Sequence, residues 1–460
     1  MHRDFHYFAC YLAARAAGIP AKNSMSIAEY GEIIDESFND NVTDTRDDYH
    51  WTPTQYVDHG WIQRTVTTVT TAKMMQRGKN RGAWFNVSWA AFHFLPNLDP
   101  PSALEQEGSY AARYWLGDRK RSGKWSRAKY PKRDDWRTTS GRRLSPADLE
   151  SQMICYPGSN LGNRMIDDAR DAVQNPREYI KNTVGEQVLA DFEEKIEPLY
   201  EGRFTDAMVG VRGHIFVDFW AHQGFCGPRS PRVNDIDTDT FDVKSRGEEW
   251  TNFKNHRSFR RDENAKAKLA PASHNGHGNA NRLPDLPGFS FRYTRPFDGA
   301  EIERSNPREY AHAFQALYSL LSEYADVRFE GRKDIVADHI PSPDNFGERF
   351  WEHSFRDFMK TPRNTRLRGM ALDAESTRVG EGGVSPRAYV DDRMVAADCD
   401  EDFGVINAVR ARDKANETHH LAYFSLAALC HICWFEKIMT NHLGKDFNSW
   451  CQENLTYKVH

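Results

Sequence analysis

The 460-residue sequence lacks the short motifs of the commonest nucleophile-dependent and nucleotide-dependent enzymes. It contains no GxSxG elbow, no Walker phosphate loop and no GxGxxG fingerprint. The stretch "GEGG" at 380–383 is interpreted as a flexible turn. Hydrolytic chemistry, if the protein performs it, would therefore depend on water activated by a metal ion and not on a serine.

A strong charge imbalance is also missing. The 61 Lys and Arg residues nearly balance 66 Asp and Glu residues, and the net charge of −5 predicts no polyanionic partner by itself. One local exception is the stretch 119–143, where basic residues alternate with aromatic ones. Such a stretch could bind a nucleic-acid backbone and stack on bases. A solvated insertion is the simpler interpretation, because most charge runs are solvated surfaces.

Long apolar runs are absent as well. The N-terminal "MHRDFHYF" has no apolar segment of the kind found in signal peptides, which predicts a cytoplasmic protein. The late run "HLAYFSLAALCHICWF" is shorter than the roughly 18 apolar residues of a membrane span, so we predict none. Seven scattered cysteines argue against a disulfide framework. Cys430 and Cys433 form a CxxC motif, for which buried thiols are the alternative to a metal or redox site.

The hydrophobic pattern is mostly helical. There is no alternation of predicted strands and helices, so the pattern does not predict a doubly wound sheet. The sequence also has no internal repeat and no low-complexity tract. We predict a mainly α, multi-helix fold in one domain over 1–460, with loop insertions at 100–145 and 229–290. Loops of that length are uncommon in a compact domain unless they are functional or inserted.

Local signals predict where several helices begin. Ser26 followed by Glu29 is a capping box and predicts a helix start at Ser26. Asn306 followed by Pro307 predicts another start, because proline suits the first helical position. The stretch from about Ala415 to His442 is apolar and is predicted to be strongly helical.

The stretch "HIFVDFWAHQGF" carries three polar side chains at a regular interval. His214, Asp218 and His222 are spaced i, i+4, i+8, so on a helix they form one stripe. Two imidazoles and a carboxylate on one face can ligate Zn²⁺ or a similar metal, and two neighbouring metals could share the aspartate. The alternative is a core helix in which these groups hydrogen-bond one another.

One stripe supplies at most three ligands, so other segments must complete a site. Most of the further candidates lie in apolar or aromatic runs, where an unpaired polar group is costly. Asp35 lies near the end of its helix, where the helix dipole disfavours a negative charge. The candidates are His6, Asp35, His59, His93, His277 and Asp285, with His419 and His420 on the last helix as further options.

Several blocks of this sequence resemble a known family. The blocks "DFHYFACYLAARAAGI", "IAEYGEIIDES", "FHFLP", "HIFVDFWAHQGFCG", "GHGNANRLPDLP" and "SNPREYAHAF" follow one another along nearly the whole chain. They resemble an uncharacterised bacterial family defined only as a domain of unknown function. The stretches 119–143 and 229–270 are the least typical parts. This resemblance implies no established activity.

The His-x-x-x-Asp helix is more distantly similar to that of the zinc-dependent phospholipase C and P1 nuclease superfamily. That likeness implies an all-α phosphoesterase core with one to three zinc ions between helices, and Asp35 as the general base. The implied ligands are His6, Asp35, His59, His214 and Asp218. Two features depart from the superfamily: there is no signal peptide, and the second His-x-x-x-acid pair has no clear counterpart, although His222 could take its place.

Two hypotheses follow. The first is a metal-dependent hydrolase that acts on a small-molecule or other phosphoester substrate, with metal ions that polarise a phosphoryl oxygen and Asp35 as base. The second is a non-catalytic helical binding protein with a structural metal or none, in which the polar loops form the contact surface.

Overall fold

The computed structural model describes a helical protein with two small antiparallel sheets. Of the described residues 68% are helical and 8% are in strands, so the mainly α prediction is confirmed. The described residues are 4–36, 54–57, 60–63, 82–98, 152–230, 233–245, 248–256, 276–280, 283–286, 288–296, 299, 301–329, 405–416 and 418–454. The basic stretch 119–143 and His59 lie outside them.

The helices follow a π-helical segment, Asp4–Ala9, at the start of the described chain. They are α1 (Cys10–Ala16), α2 (Ala21–Glu36), α3 (Gly82–Phe92), α4 (Asn160–Gln174), α5 (Pro176–Val184), α6 (Glu186–Lys195), α7 (Glu201–Ala221), α8 (Asn306–Phe329), α9 (Val405–Asn416), α10 (His420–Leu443) and α11 (Phe447–Asn454). The buried apolar side chains of these helices belong to one contiguous core.

The strands form two antiparallel sheets. A hairpin pairs β1 (Thr54–Val57) with β2 (Gly60–Gln63). The larger sheet has the order β4-β3-β5-β6. Its strands are β3 (Asp242–Ser245), β4 (Thr251–Asn252), β5 (Phe289–Thr294) and β6 (Glu301–Ser305). The region 229–290, predicted to be a loop insertion, therefore contributes β3, β4 and the start of β5 to this sheet.

Helix α7 lies at the centre of the fold. It packs against α2, α4, α8 and α10, and its residues are buried except for Glu201, Arg203 and Phe216. A helix that is apolar on nearly every side is stable only when other elements cover it on all sides. The polar side chains on α7 therefore lie in the interior, where each needs a partner.

Helix α2 packs lengthwise against helix α7. Near one end, Asn23 Nδ2 donates to Asp206 Oδ2 at 2.7 Å, and near the other, Asp35 lies beside His214. Between these contacts the helices meet at Gly210, where a Cβ atom would lie 2.6 Å from the carbonyl oxygen of Ile27. This close approach is what brings Asp35 to His214.

Replacing Gly210 by alanine should therefore separate α2 from α7. We expect G210A to lower the free energy of unfolding by about 1–3 kcal/mol, as overpacking does, and to weaken metal binding through displacement of Asp35. Gly213 on the same helix is the matched control, because its added Cβ would meet only Leu317 Cδ1 at 3.5 Å. Denaturant unfolding and zinc titration of both variants test this; equal behaviour of G210A and G213A would contradict it.

Three predicted helix boundaries can be compared with the structure. The start near Asn306 is confirmed. The start at Ser26 is wrong, because α2 begins at Ala21 and Ser26 lies within it. The predicted helical character of 415–442 is confirmed, and the helices there are two, because α9 ends at Asn416 and α10 begins at His420. Asp413 stabilises this break, since its carboxylate accepts hydrogen bonds from the Leu421 backbone N–H and the Thr418 hydroxyl.

Among the described residues, one helix is long and apolar enough to cross a membrane by length and composition. It is α10, which has a hydropathy of 1.3 over its most apolar window, and 72% of that window is buried inside the protein. A buried core helix passes the same test, so α10 is weak evidence for a span. The CxxC motif lies on α10, and neither Cys430 nor Cys433 forms a disulfide bond with a described residue.

Candidate metal centre

Five of the candidate side chains meet at one point in the core. His6 comes from the π-helical segment. The π-helix is rare in proteins, and where it occurs it is often at a functional site. Asp35 comes from the last turn of α2, and His93 directly follows α3. His214 and Asp218 come from adjacent turns of α7. We call these residues the five-residue centre.

The Asp218 carboxylate lies in the middle of this centre and is fully buried. Its Oδ1 is 3.1 Å from Nε2 of His6. Its Oδ2 is 3.3 Å from Nε2 of His214 and 3.4 Å from Nδ1 of His93. The two oxygens of Asp218 therefore face different histidines.

The two carboxylate oxygens of Asp35 also face different histidines. Its Oδ2 is 3.8 Å from Nε2 of His6. Its Oδ1 is 3.8 Å from Nδ1 of His93 and 3.8 Å from Nε2 of His214. Both carboxylates thus direct one oxygen to His6 and the other to the pair His93 and His214.

These separations match a coordination sphere better than a hydrogen-bond network. Protein hydrogen bonds to nitrogen are about 2.7–3.2 Å long, whereas two ligand atoms on one tetrahedral zinc ion are about 3.3 Å apart, given bonds of about 2.0–2.2 Å. Most of the contacts above are longer than 3.2 Å. The ligand atoms of His6, His214 and Asp218, and those of Asp35, His93 and His214, lie within 4.8 Å of one another, so each group could hold a metal ion.

Three ring nitrogens of two buried histidines lack hydrogen-bond partners among the described residues. Neither ring nitrogen of the buried His6 makes a hydrogen bond there, nor does Nδ1 of His214. The two rings stack with their centroids 3.6 Å apart. Because buried polar atoms without partners are costly, a cation bound to these rings would account for their burial.

The pKa shifts of His6, Asp35 and Asp218 also suit metal ligands. Burial and the neighbouring His214 lower the pKa of His6 to about 3. Burial acts to raise the pKa of both carboxyl groups, but the adjacent histidines outweigh it, so the pKa of Asp35 is lowered and that of Asp218 lies well below its usual value. A neutral imidazole and ionised carboxylates are the forms that bind metals.

A second group adjoins the five-residue centre. Nε2 of His222 is 3.1 Å from Oδ1 of Asp285, and Nε2 of His277 is 3.1 Å from Oδ2 of the same carboxylate. On its other side, Nδ1 of His222 is 3.5 Å from Oδ2 of Asp218. The side chains of His222, His277 and Asp285 also have the spacing of a possible metal site. We call them the His222 group.

The two groups open to solvent through their carboxylates. The Asp35 side chain is 29% exposed and the Asp285 side chain is 21% exposed, whereas His6, His214 and Asp218 are buried. Water and solutes would therefore reach the centre from the side of Asp35.

The structure brings together most of the residues that the sequence singled out. Its one departure from the predicted stripe concerns His222, which follows the last residue of α7 and directs Nε2 away from Asp218. His420 does not join either group, because its Nδ1 pairs with Asp413 at 2.9 Å. No pattern in the sequence indicates that the backbone carbonyl of His93 contacts His222, because only the fold places them side by side.

Comparison with known proteins gives one match. No curated protein sequence and no solved structure matches the chain. A family model described as a family of unknown function matches residues 1–431, and this range includes every residue of the five-residue centre and of the His222 group. The chain therefore belongs to the family of unknown function DUF6765.

Proposed function

We propose that the five-residue centre binds two divalent metal ions, zinc being the best fit, and that the protein is a metal-dependent phosphoesterase. One observation carries the proposal: Asp35 and Asp218 each direct one oxygen to His6 and the other to His93 and His214. Carboxylates arranged in this way can bridge two ions, as in two-metal hydrolytic sites. Nitrogen and carboxylate ligands are those that zinc prefers.

The charge of the centre favours an anionic substrate. Two ionised carboxylates carry a charge of −2, and two divalent ions would bring the total to +2. A histidine that binds a metal ion does so as the neutral imidazole, so the ligands add no charge to this sum. A phosphoester has the opposite charge, and bound divalent ions supply Lewis acidity and water activated near neutral pH. The absence of a serine nucleophile motif agrees with this chemistry.

Within the centre, Asp218 and Asp35 have different roles. Asp218 is buried and makes the shorter contacts, so it suits a bridging ligand. Asp35 makes contacts of 3.8 Å and is partly exposed, so it lies where water enters. From there it can orient a water molecule or accept its proton. This is the general-base role that the distant likeness to the phospholipase C and P1 nuclease superfamily implies.

A second candidate function is non-catalytic. The burial of His6, His214 and Asp218 favours it, because structural metal sites are closed whereas catalytic ones keep an open position. In that case the ions would stabilise the helical core, and binding surfaces elsewhere would carry the function.

Activity measurements distinguish the two candidates. We expect zinc-loaded protein to hydrolyse bis-p-nitrophenyl phosphate or p-nitrophenyl phosphate, and H214A to lose more than about 100-fold in kcat/KM, since even outer-shell changes cost 10–100-fold. The control is H256Q. It removes a buried histidine that belongs to neither group and whose Nε2 lies 3.1 Å from the Glu248 carboxylate. A zinc-loaded protein inactive on both esters, or an H214A variant as active as H256Q, would refute the phosphoesterase proposal.

A further inference from the structure

We propose that His222, His277 and Asp285 form a separate site for a third cation, adjacent to the five-residue centre. The site is defined by three ligand atoms that face one another: Nε2 of His222, Nε2 of His277 and the Asp285 carboxylate, which lies 3.1 Å from each nitrogen. Its existence does not depend on the phosphoesterase activity proposed above.

The hydrogen bond on the far side of His222 determines what Nε2 can do. Nδ1 of His222 lies 2.6 Å from the backbone carbonyl oxygen of His93. A carbonyl oxygen only accepts hydrogen bonds, so Nδ1 must carry a proton. A neutral imidazole has a single N–H, which leaves Nε2 with a lone pair.

That lone pair is directed at a carboxylate. Two acceptors 3.1 Å apart repel each other unless a proton or a cation lies between them. A proton there would make His222 an imidazolium. The ring is buried and stacks on Phe94, with centroids 4.2 Å apart and an interplanar angle of 12°. Burial in the protein interior disfavours a charged ring, so a metal cation fits the position better than a proton.

The ligand set indicates a zinc-type ion with an open position. Two imidazoles and one carboxylate are the protein ligands of many catalytic zinc sites, in which water or substrate occupies the fourth position. Asp285 is partly exposed, so the fourth position would face solvent. The hydrogen bond from Nδ1 to a backbone carbonyl is also the usual way in which a ligating histidine is oriented.

His93 connects this site to the five-residue centre. Its ring faces Asp218, while its carbonyl oxygen fixes the orientation of His222. The third ion would lie one imidazole ring away from the Asp218 carboxylate, because His222 also approaches Asp218 through Nδ1 at 3.5 Å. If the phosphoesterase proposal holds, this ion adds positive charge on the side of the centre that Asp285 opens to solvent.

Counting bound zinc tests the proposal. The full-length protein is loaded with zinc sulfate, desalted and analysed by inductively coupled plasma mass spectrometry. We expect three zinc ions per chain in the unchanged protein, two in H277Q and three in H256Q, the control for loss of a buried histidine. D285N is the second variant, expected to behave as H277Q does.

The outcomes separate this inference from the proposed function. Equal zinc content in H277Q, D285N and the unchanged protein would overturn the third site, whatever the esterase result. Loss of one ion in both variants would support it even if no phosphoester is hydrolysed. If the unchanged protein binds no zinc under these conditions, both proposals fail.

Discussion

Asp218→Asn should remove most metal binding from the five-residue centre. The amide replaces the carboxylate that approaches His6 on one side and His93 and His214 on the other. Substitutions of outer-shell residues cost about 10–100-fold in metal affinity, so loss of a bridging ligand should cost more than about 100-fold. Isothermal titration with zinc measures the change directly, and esterase activity should fall by at least the same factor.

Asp206→Asn is the matched control for this variant. Asp206 lies on the same helix, is buried, and accepts hydrogen bonds from Asn23 and Tyr324. Burial raises the pKa of its carboxyl group to about 6, so its negative charge is stabilised less than that of Asp218. D206N should keep normal zinc affinity. If D218N binds zinc as tightly as D206N does, Asp218 is not a ligand.

Removing the metal should have the next largest effect, on stability. A ligand that binds only the folded state, at a free concentration 1,000 times its Kd, stabilises that state by about 4 kcal/mol. A 460-residue domain with an unfolding entropy of about 2.1 cal/mol/K per residue changes its Tm by about 1 °C per kcal/mol. Chelation of the two centre ions, which together contribute about 8 kcal/mol, should therefore lower Tm by roughly 8 °C. Differential scanning fluorimetry with zinc and with EDTA measures this shift.

The chelation experiment has an internal control. D218N should show little of the shift between zinc and EDTA, because it lacks the ligand that joins the two ion positions. H256Q should show the full shift, since its histidine pairs with Glu248 and not with either group. Equal Tm values for the unchanged protein with and without EDTA would indicate that the histidines and carboxylates stabilise one another without a metal.

Much of the helical architecture could be predicted from local signals. The Asn306-Pro307 start of α8 was identified correctly because proline fits the first helical turn wherever it occurs. Ser26 misled because a serine also tolerates a helix interior, where its hydroxyl bonds the carbonyl oxygen of Lys22. The break between α9 and α10 depends on Asp413 reaching the start of the next helix, a contact that no hydrophobic pattern shows.

The sheet was missed for a different reason. Its strands β3 and β4 are only four and two residues long, too short for alternation to be distinguished from a loop. Arg304 on β6 is buried where an apolar residue is expected, because its guanidinium donates to the Trp220 carbonyl oxygen at 2.6 Å. A buried polar residue of this kind interrupts the alternation of apolar and polar residues by which a strand is recognised.

The candidate site, like the fold, can be predicted from the sequence only where it depends on local spacing. The spacing of His214 and Asp218 follows from helix geometry alone and needs no knowledge of the fold. His222 continues the same spacing, yet α7 ends at Ala221 and Gly224 adopts a positive φ of 87°, so the chain turns away there. The meeting of His6, Asp35 and His93 with α7 depends on tertiary packing, and the sequence could name these residues only as candidates.

The most direct test of the central claim is the anomalous scattering of zinc in crystals of the zinc-loaded protein. A bridging Asp218 carboxylate predicts two peaks about 3.5–4 Å apart, the separation found in two-metal sites. One peak should lie beside Nε2 of His6 and the other between His93 and His214, with Asp218 bound to both. A single peak, or none within bonding distance of Asp218, would contradict the dinuclear centre.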